Sequence, residues 1–174
     1  MHASSSDGTE KRLWRCPCTE PALSIRPYTD ADREAVIVLW SEVLPNSAPH
    51  NDPATSIDKK LLVGPELFLV AVVDHLVVGT VMGGYDGHRG WVYSVAVNAN
   101  YRRQGIGRDL IRELETALLE RGCLKVNLQV RATNAEAVAF YERLGYRGED
   151  IISMGKPLYS QPAQPCRDAE PQEG

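Results

Sequence analysis

The chain has 174 residues, of which 43% are hydrophobic, and a formal net charge of −4 at pH 7. This length can bury one sizeable core but not two ordinary domains, and the acidic balance argues against a nucleic-acid-binding surface beyond a local group of arginines. No apolar run approaches the length of a membrane span and no signal-peptide core is visible, so we expect a cytoplasmic protein without a membrane or nucleic-acid partner.

The two ends of the chain have the composition of tails. Residues 1–22 are rich in Ser, Thr and charged side chains, and residues 159–174 are rich in Pro, Gln and Glu. Neither segment can bury enough apolar surface to offset the entropy lost on ordering. The expected domain is therefore residues 23–158.

The cysteines form neither a disulfide framework nor a zinc-binding pattern. Cys16 and Cys18 are one residue apart, Cys123 stands at the start of an apolar run, and Cys166 lies in the Pro-rich end. The histidines show no ligand spacing either. We therefore expect no metal site.

The first elements predicted are a strand and two helices. Leu23–Pro27 is expected to form the strand, after which Thr29 or Asp30 can cap a helix. The residues of that helix expected to face the core are Ala35, Val36, Leu39, Trp40 and Val43. A loop over Pro45–Thr55 and a short helix from Ser56 to Leu62 should follow.

Three strands are predicted next. Leu67–Val73 and Leu76–Tyr85 are joined by the two-residue turn Asp74-His75. The turn Asp86–Gly90 then leads back into Trp91–Val97 as an antiparallel hairpin. Mostly antiparallel strands followed by one crossover helix predict a mixed sheet.

The most informative segment follows these strands. Tyr101-Arg-Arg-Gln-Gly-Ile-Gly-Arg108 connects the last of them to the helical pattern Leu110–Leu119. Glycines let a backbone approach a ligand closely, successive N–H groups can point at one anion, and a helix N-terminus adds partial positive charge. Arg102, Arg103 and Arg108 would add further charge. The segment therefore predicts a phosphate-binding loop.

Spacing excludes two familiar loops of this kind. A P-loop has four residues between its glycines and then Lys-Ser/Thr, whereas one residue separates Gly105 from Gly107. The dinucleotide-binding fingerprint requires a third glycine at the position that Leu110 occupies.

A strand and a second helix are predicted after the first crossover. The turn Arg121-Gly122 leads to the β-rich run Lys125–Val130. Asn134 suits a helix N-cap and Gly145 a helix end. Residues at helical spacing between them are Val138, Tyr141 and Leu144.

Two of these segments resemble the signatures of the GNAT acyltransferases. Arg102-x-x-Gly105-x-Gly107 is similar to their Gln/Arg-x-x-Gly-x-Gly/Ala motif, and the segment from Asn134 to Tyr146 resembles Asn…Phe/Leu-Tyr-Glu-x-Leu-Gly-Phe/Tyr. The likeness runs from about Ile25 to Leu158. It implies an α/β (α+β) GNAT fold: a mixed, mostly antiparallel sheet flanked by helices, with central strands that splay apart.

The resemblance also implies an activity. It predicts an acetyl-CoA-dependent N-acetyltransferase that passes an acetyl group directly to a primary amine of a small molecule or a protein, without a metal, as a monomer or homodimer. Residues implied to bind acetyl-CoA are Val95, Ala96, Val97, Arg102, Arg103, Gln104, Gly105, Ile106, Gly107, Arg108 and Asn134. The first three would line the pantetheine arm through their backbone, and the amides from Arg103 to Arg108 would hold the pyrophosphate.

Of the two catalytic groups expected from the resemblance, the proton donor is present and the carboxylate base is not. Tyr141 stands where the family's proton donor usually stands, and a phenol with a pKa of about 10 can protonate a departing thiolate. A tyrosine at a helical apolar position also fits simple core packing. The two positions where family members carry a carboxylate base hold Trp91 and Gln129 here, and an amide oxygen is not basic.

Other groups near the expected site offer alternatives for the base. His88 and Asp86 lie on the hairpin turn and Asp52 on the long loop, and a chain of waters could serve instead. Each of the three side chains also suits an ordinary turn or a solvated surface.

Three functional readings remain open from sequence. The first half, with Asn51-Asp52-Pro53 and Phe68-Leu-Val-Ala71, is similar to bacterial acetyltransferases of the YpeA type, a likeness that implies no particular substrate. The leading reading is an N-acetyltransferase that acts on a small-molecule or protein amine. Arg131-Ala-Thr-Asn134 resembles the ribosomal-protein alanine N-acetyltransferases, although Gln129 replaces their glutamate. A CoA-binding regulatory module that lacks the base is the third.

Overall fold

The computed structural model describes residues 22–44 and 49–159. These residues belong to two compact units, one ending at Arg131 and the other beginning at Ala132. The strands are β1 (Ser24–Pro27), β2 (Phe68–Val73), β3 (Leu76–Tyr85), β4 (Gly90–Val97) and β5 (Val126–Leu128). The helices are α1 (Arg33–Val43), α2 (Pro53–Leu62), α3 (Ile106–Leu119) and α4 (Ala135–Arg143).

The first unit contains one five-stranded sheet in the order β1-β2-β3-β4-β5. Neighbouring strands are antiparallel up to β4, and β5 runs parallel to β4 after the crossover through α3. The predicted mixed sheet is therefore confirmed. Strand β5 pairs with β4 over Gly90–Val92, and no strand among the described residues pairs with the second half of β4 on that edge, which agrees with the expected splay.

One face of the sheet is covered by α1. This helix buries Val36, Leu39 and Trp40, which follow the i, i+3, i+4 spacing of a helical stripe. They join a core with sheet residues such as Phe68, Val70 and Met82. The prediction that Ala35 faces this core is wrong: Ala35 is exposed, because it precedes the stripe by one residue and so lies outside it.

The opposite face is covered by α3. Its buried residues are Ile106, Leu110, Ile111, Leu114 and Leu118. The sheet makes room for them with two glycines on β3: a Cβ on Gly79 would lie 3.0 Å from Leu110 Cδ1, and one on Gly83 would overlap a methyl group of Leu114. The helix therefore lies directly on the backbone of β3, which fixes where its N-terminus lies.

The element boundaries that differ most from the sequence prediction in this part of the fold are those of α2 and β5. Helix α2 begins at Pro53 rather than Ser56, because the Asp52 carboxylate accepts a 2.8 Å hydrogen bond from the Thr55 N–H and Pro53 suits the first helical position. The end of the predicted loop Pro45–Thr55 is thus helical, while residues 45–48 lie outside the described residues. Strand β5 has three residues, fewer than the predicted run.

The predicted tails fall almost entirely outside the described residues, as do Cys16, Cys18 and Cys166. Cys123 is described, and it is a buried, free thiol. A Cβ on Gly90 would lie 2.8 Å from its sulfur, so this cysteine is packed tightly against the start of β4.

Candidate active site

Strand β4 contains a β-bulge at Ser94. Its register with β3 shifts by one residue between the pairs Met82–Tyr93 and Thr80–Ala96. Ser94 has a φ of 47°, in the left-handed region that non-glycine residues seldom occupy. Such bulges bend a strand and change the direction of the groups that follow, and they are frequent beside active sites.

Two buried side chains hold this bulge. The Trp40 indole nitrogen donates a 2.7 Å hydrogen bond to the Thr80 hydroxyl. That hydroxyl in turn donates to the Ser94 carbonyl at 3.1 Å. Trp40 and Thr80 are 3% and 0% exposed, so neither group can exchange its partner for water. A polar residue inside the apolar run of β3 was the only sequence signal for this arrangement.

The end of β4 presents backbone groups to the open edge. The Asn98 N–H donates to the Val78 carbonyl on β3, so the alternation of a strand directs the backbone of Val95 and Val97 to the other edge. The Val97 carbonyl accepts from Arg102 Nε at 3.2 Å. The Val95 backbone is thus directed to the open edge, where an amide-containing chain could pair with it, and the buried Ala96 side chain packs in the core.

The predicted phosphate-binding loop lies between β4 and α3. Arg103 and Gly105 adopt φ angles of 62° and 89°. Helix α3 begins directly after Gly105, four residues before its predicted apolar pattern, and has no side-chain cap. The first N–H groups of the helix, from Ile106 to Arg108, therefore lack an intrahelical acceptor and carry the positive end of the helix dipole.

The arginines of this loop are not equivalent. Arg102 is turned back towards the Val97 carbonyl, and Arg108 Nε donates to Asp109 Oδ1 at 2.8 Å, a hydrogen bond that raises the pKa of Arg108. A Cβ on Gly105 would lie 3.0 Å from Arg108 Nη2, so the guanidinium packs over this glycine. Arg103 makes no ion pair with the described residues and is exposed.

The second unit contains two residues that the sequence predicted to act in binding or catalysis. The Asn134 side chain accepts a 3.1 Å hydrogen bond from the Ala137 N–H and caps α4, as predicted. Tyr141 packs edge-on against Phe140 and Tyr146, with ring centroids 5.0 and 5.7 Å apart. Burial raises the pKa of Tyr141 to about 12, so its phenol is protonated at neutral pH.

The two carboxylates considered as bases accept hydrogen bonds from backbone N–H groups that are close to them in sequence. Asp52 caps α2, and its hydrogen bonds to Thr55 lower its pKa. Asp86 accepts backbone N–H groups of Arg89 and His88 at 2.6 and 2.7 Å, which lower the pKa of that carboxyl group. A carboxylate with a lowered pKa is a poor proton acceptor near neutral pH.

The described residues contain no group of three or more His, Cys, Asp or Glu side chains able to hold a metal ion. None of their helices has both the length and the apolar character needed to cross a bilayer.

Comparisons with known proteins agree on one family. Residues 33–146 match the model of the acetyltransferase (GNAT) family. An uncharacterized N-acetyltransferase of Yersinia pestis is 46% identical over 136 residues, which cover 78% of this chain and 96% of that protein.

Solved structures share the fold. Ard1 from Thermoplasma volcanium is 29% identical with a TM-score of 0.63, over 71% of this chain and 82% of that one. The aminoglycoside N-acetyltransferase AAC(6')-Iy in complex with CoA has a TM-score of 0.68 at 14% identity, over 80% of this chain and 97% of that one. At this identity the second likeness concerns the fold alone.

Proposed function

Since this chain belongs to the acetyltransferase (GNAT) family, we propose that it transfers the acetyl group of acetyl-CoA directly to a primary amine of a small molecule or a protein. The observation that carries this proposal is the uncapped N-terminus of α3 beside the open edge of β4. The first can bind an anion and the second an amide-containing chain, which are the two chemical parts of CoA.

The residues present fit this cosubstrate. The N–H groups from Ile106 to Arg108 would hold the pyrophosphate, and the exposed Arg103 would add charge. The backbone of Val95 would bind the pantetheine arm next to the bulge. Acetyl-CoA would supply an activated thioester at that point.

The proposed chemistry forms one C–N bond and breaks one C–S bond. The neutral amine attacks the thioester carbonyl carbon, the sulfur leaves as a thiolate that takes a proton, and the new amide nitrogen releases its extra proton to solvent, from which the proton donor is restored. Tyr141 is our proposed donor to the thiolate, supported by a pKa of about 12 that keeps its phenol protonated. With Asp52 and Asp86 held at lowered pKa values, we propose that the amine loses its first proton to solvent before it binds.

Thiol release from acetyl-CoA, measured with a panel of small amines and a panel of peptides with free N-termini, tests this function. Turnover with small amines supports a metabolite acceptor. Turnover confined to peptides that begin with alanine would support a protein N-terminal acetyltransferase. Tight CoA binding without turnover on any acceptor would contradict the proposed enzyme and indicate a regulatory module.

A further inference from the structure

Two aromatic rings lie side by side on β4, on the sheet face opposite α3. Trp91 and Tyr93 are two residues apart, so they project to the same face, and their ring planes differ by 14° with centroids 6.5 Å apart. Tyr93 is 47% exposed. Gly84 on β3 lies beside this ring, because a Cβ there would be in van der Waals contact with Tyr93 Cε2 at 3.4 Å. The rings therefore offer an accessible apolar surface.

A carboxylate lies at the edge of these rings. The Trp91 indole nitrogen donates to Asp86 Oδ2 at 3.4 Å, while Asp86 Oδ1 accepts the two backbone N–H groups of its own turn. The nearby Arg89 directs Nη1 to the His88 carbonyl at 3.2 Å. No ion pair to Asp86 is formed within the described residues, so its negative charge is available to a ligand.

We propose that Asp86, Trp91 and Tyr93, together called the acceptor patch, bind a positively charged group of the acceptor, so that the preferred substrates are amines with a second, cationic group. This proposal rests on the proposed function and specifies its substrate class. Aromatic faces and a neighbouring carboxylate are the combination that attracts an ammonium ion, because the ring quadrupole and the charge act in the same direction.

The position of the patch supports this assignment. Tyr93 directly precedes the bulge at Ser94, and Val95 follows it. Two residues of a regular strand span about 7 Å and the bulge shortens this distance, so the spacing suits the two nitrogens of a short diamine. A cation on the patch would thus leave the second nitrogen near the open edge of β4.

A pair of isosteric acceptors tests the proposal. 4-(Trimethylammonio)butylamine carries a fixed positive charge, and 5,5-dimethylhexylamine replaces that group with an uncharged tert-butyl group of the same shape. We expect kcat/KM to be roughly 3- to 30-fold higher for the charged acceptor. Tyr93→Leu and Asp86→Asn should each reduce this preference, with CoA affinity measured by calorimetry unchanged.

The matched control is Asp74→Asn, because Asp74 lies in the turn before β3 and Asp86 follows the other end of that ten-residue strand. This variant should keep the full preference. Equal kcat/KM for the two acceptors, with CoA binding intact, would overturn the patch and leave the proposed function standing. If no acceptor turns over, cation binding can be measured directly by titrating the protein with tetramethylammonium ion and following the NMR signal of the Trp91 indole N–H. We expect this signal to shift in wild type and to shift less in Tyr93→Leu. No shift in wild type, or the same shift in both proteins, would overturn the patch.

Discussion

The Trp40 indole nitrogen lies 2.7 Å from the Thr80 hydroxyl, and this one hydrogen bond connects α1 to the bulge of β4. The Thr80 hydroxyl in turn donates a hydrogen bond to the Ser94 carbonyl. Helix α1 thereby helps to fix the backbone direction of the residues after Ser94.

Thr80→Val should lower the free energy of unfolding by about 1–3 kcal/mol, because the buried Trp40 N–H loses its acceptor. The bulge should shift as well, and kcat/KM for acetyl-CoA should fall roughly 10- to 100-fold. Chemical denaturation and steady-state kinetics measure the two effects. Thr80→Ser, which keeps the hydroxyl, is the control and should retain most of both quantities; a Val variant with full activity would contradict a role for the bulge.

Gly107→Asp should abolish CoA binding without unfolding the protein. Gly107 is in the first turn of α3, where a carboxylate favours the helix but repels a pyrophosphate. Calorimetric titration with CoA gives the affinity and circular dichroism the fold. Gly107→Asn has nearly the same shape without the charge, and should retain measurably more affinity than the aspartate variant. Unchanged affinity in a folded Gly107→Asp protein would move the phosphate site elsewhere.

Tyr141→Phe should lower kcat by about 10- to 10⁴-fold and leave the KM for acetyl-CoA nearly constant, because the ring still packs and only the proton is lost. Since its pKa is about 12, the donor form persists as the pH rises to about 10, so wild type should show no alkaline loss of kcat below that pH. Tyr146→Phe removes a hydroxyl from the neighbouring ring and serves as the control. Equal turnover by Tyr141→Phe and wild type would leave Tyr141 a packing residue.

The pH dependence of kcat/KM should follow the acceptor rather than the protein. Asp52 and Asp86 have lowered pKa values, so both are already ionised well below pH 7 and add no rising limb above it. The rate should therefore climb until the pH reaches the acceptor's own pKa, and should shift between two acceptors that differ in pKa. A plateau near pH 7 for both acceptors would reveal a protein base. Gln129→Glu tests whether a carboxylate at that position then raises the rate at neutral pH.

Sequence patterns were enough to predict the mixed sheet and the glycine-containing turn between β4 and α3, because glycine spacing and apolar periods act locally. They predicted that Gly105 stands at the start of a helix and that Asn134 caps another. The Asp52-Pro53 pair is typical of a helix N-cap followed by its first residue, and it indicated that α2 begins at Pro53. The prediction of a loop up to Thr55 did not take this capping into account.

Tertiary interactions account for what the patterns did not predict. Ser94 has no feature that requires a positive φ, and only the Thr80 hydroxyl on another strand explains it. The partners of Arg102 and Arg108 likewise depend on how the loop turns, so their charges looked equally available from sequence. The glycines of β3 gave no sign that a helix would lie on them.

The bulge gives β4 one residue more than β3 needs for pairing. Val92 faces α3, and Ala96, four residues later, faces the core that contains Trp40, a reversal that the extra residue produces. Deleting Ser94 would leave Ala96 opposite Thr80, so the side chains after it would keep their faces while the bend of the strand would be lost. A single-codon deletion at this position would thus separate the bend of β4 from its packing, whereas a deletion elsewhere in the strand would turn one of its ends to the opposite face.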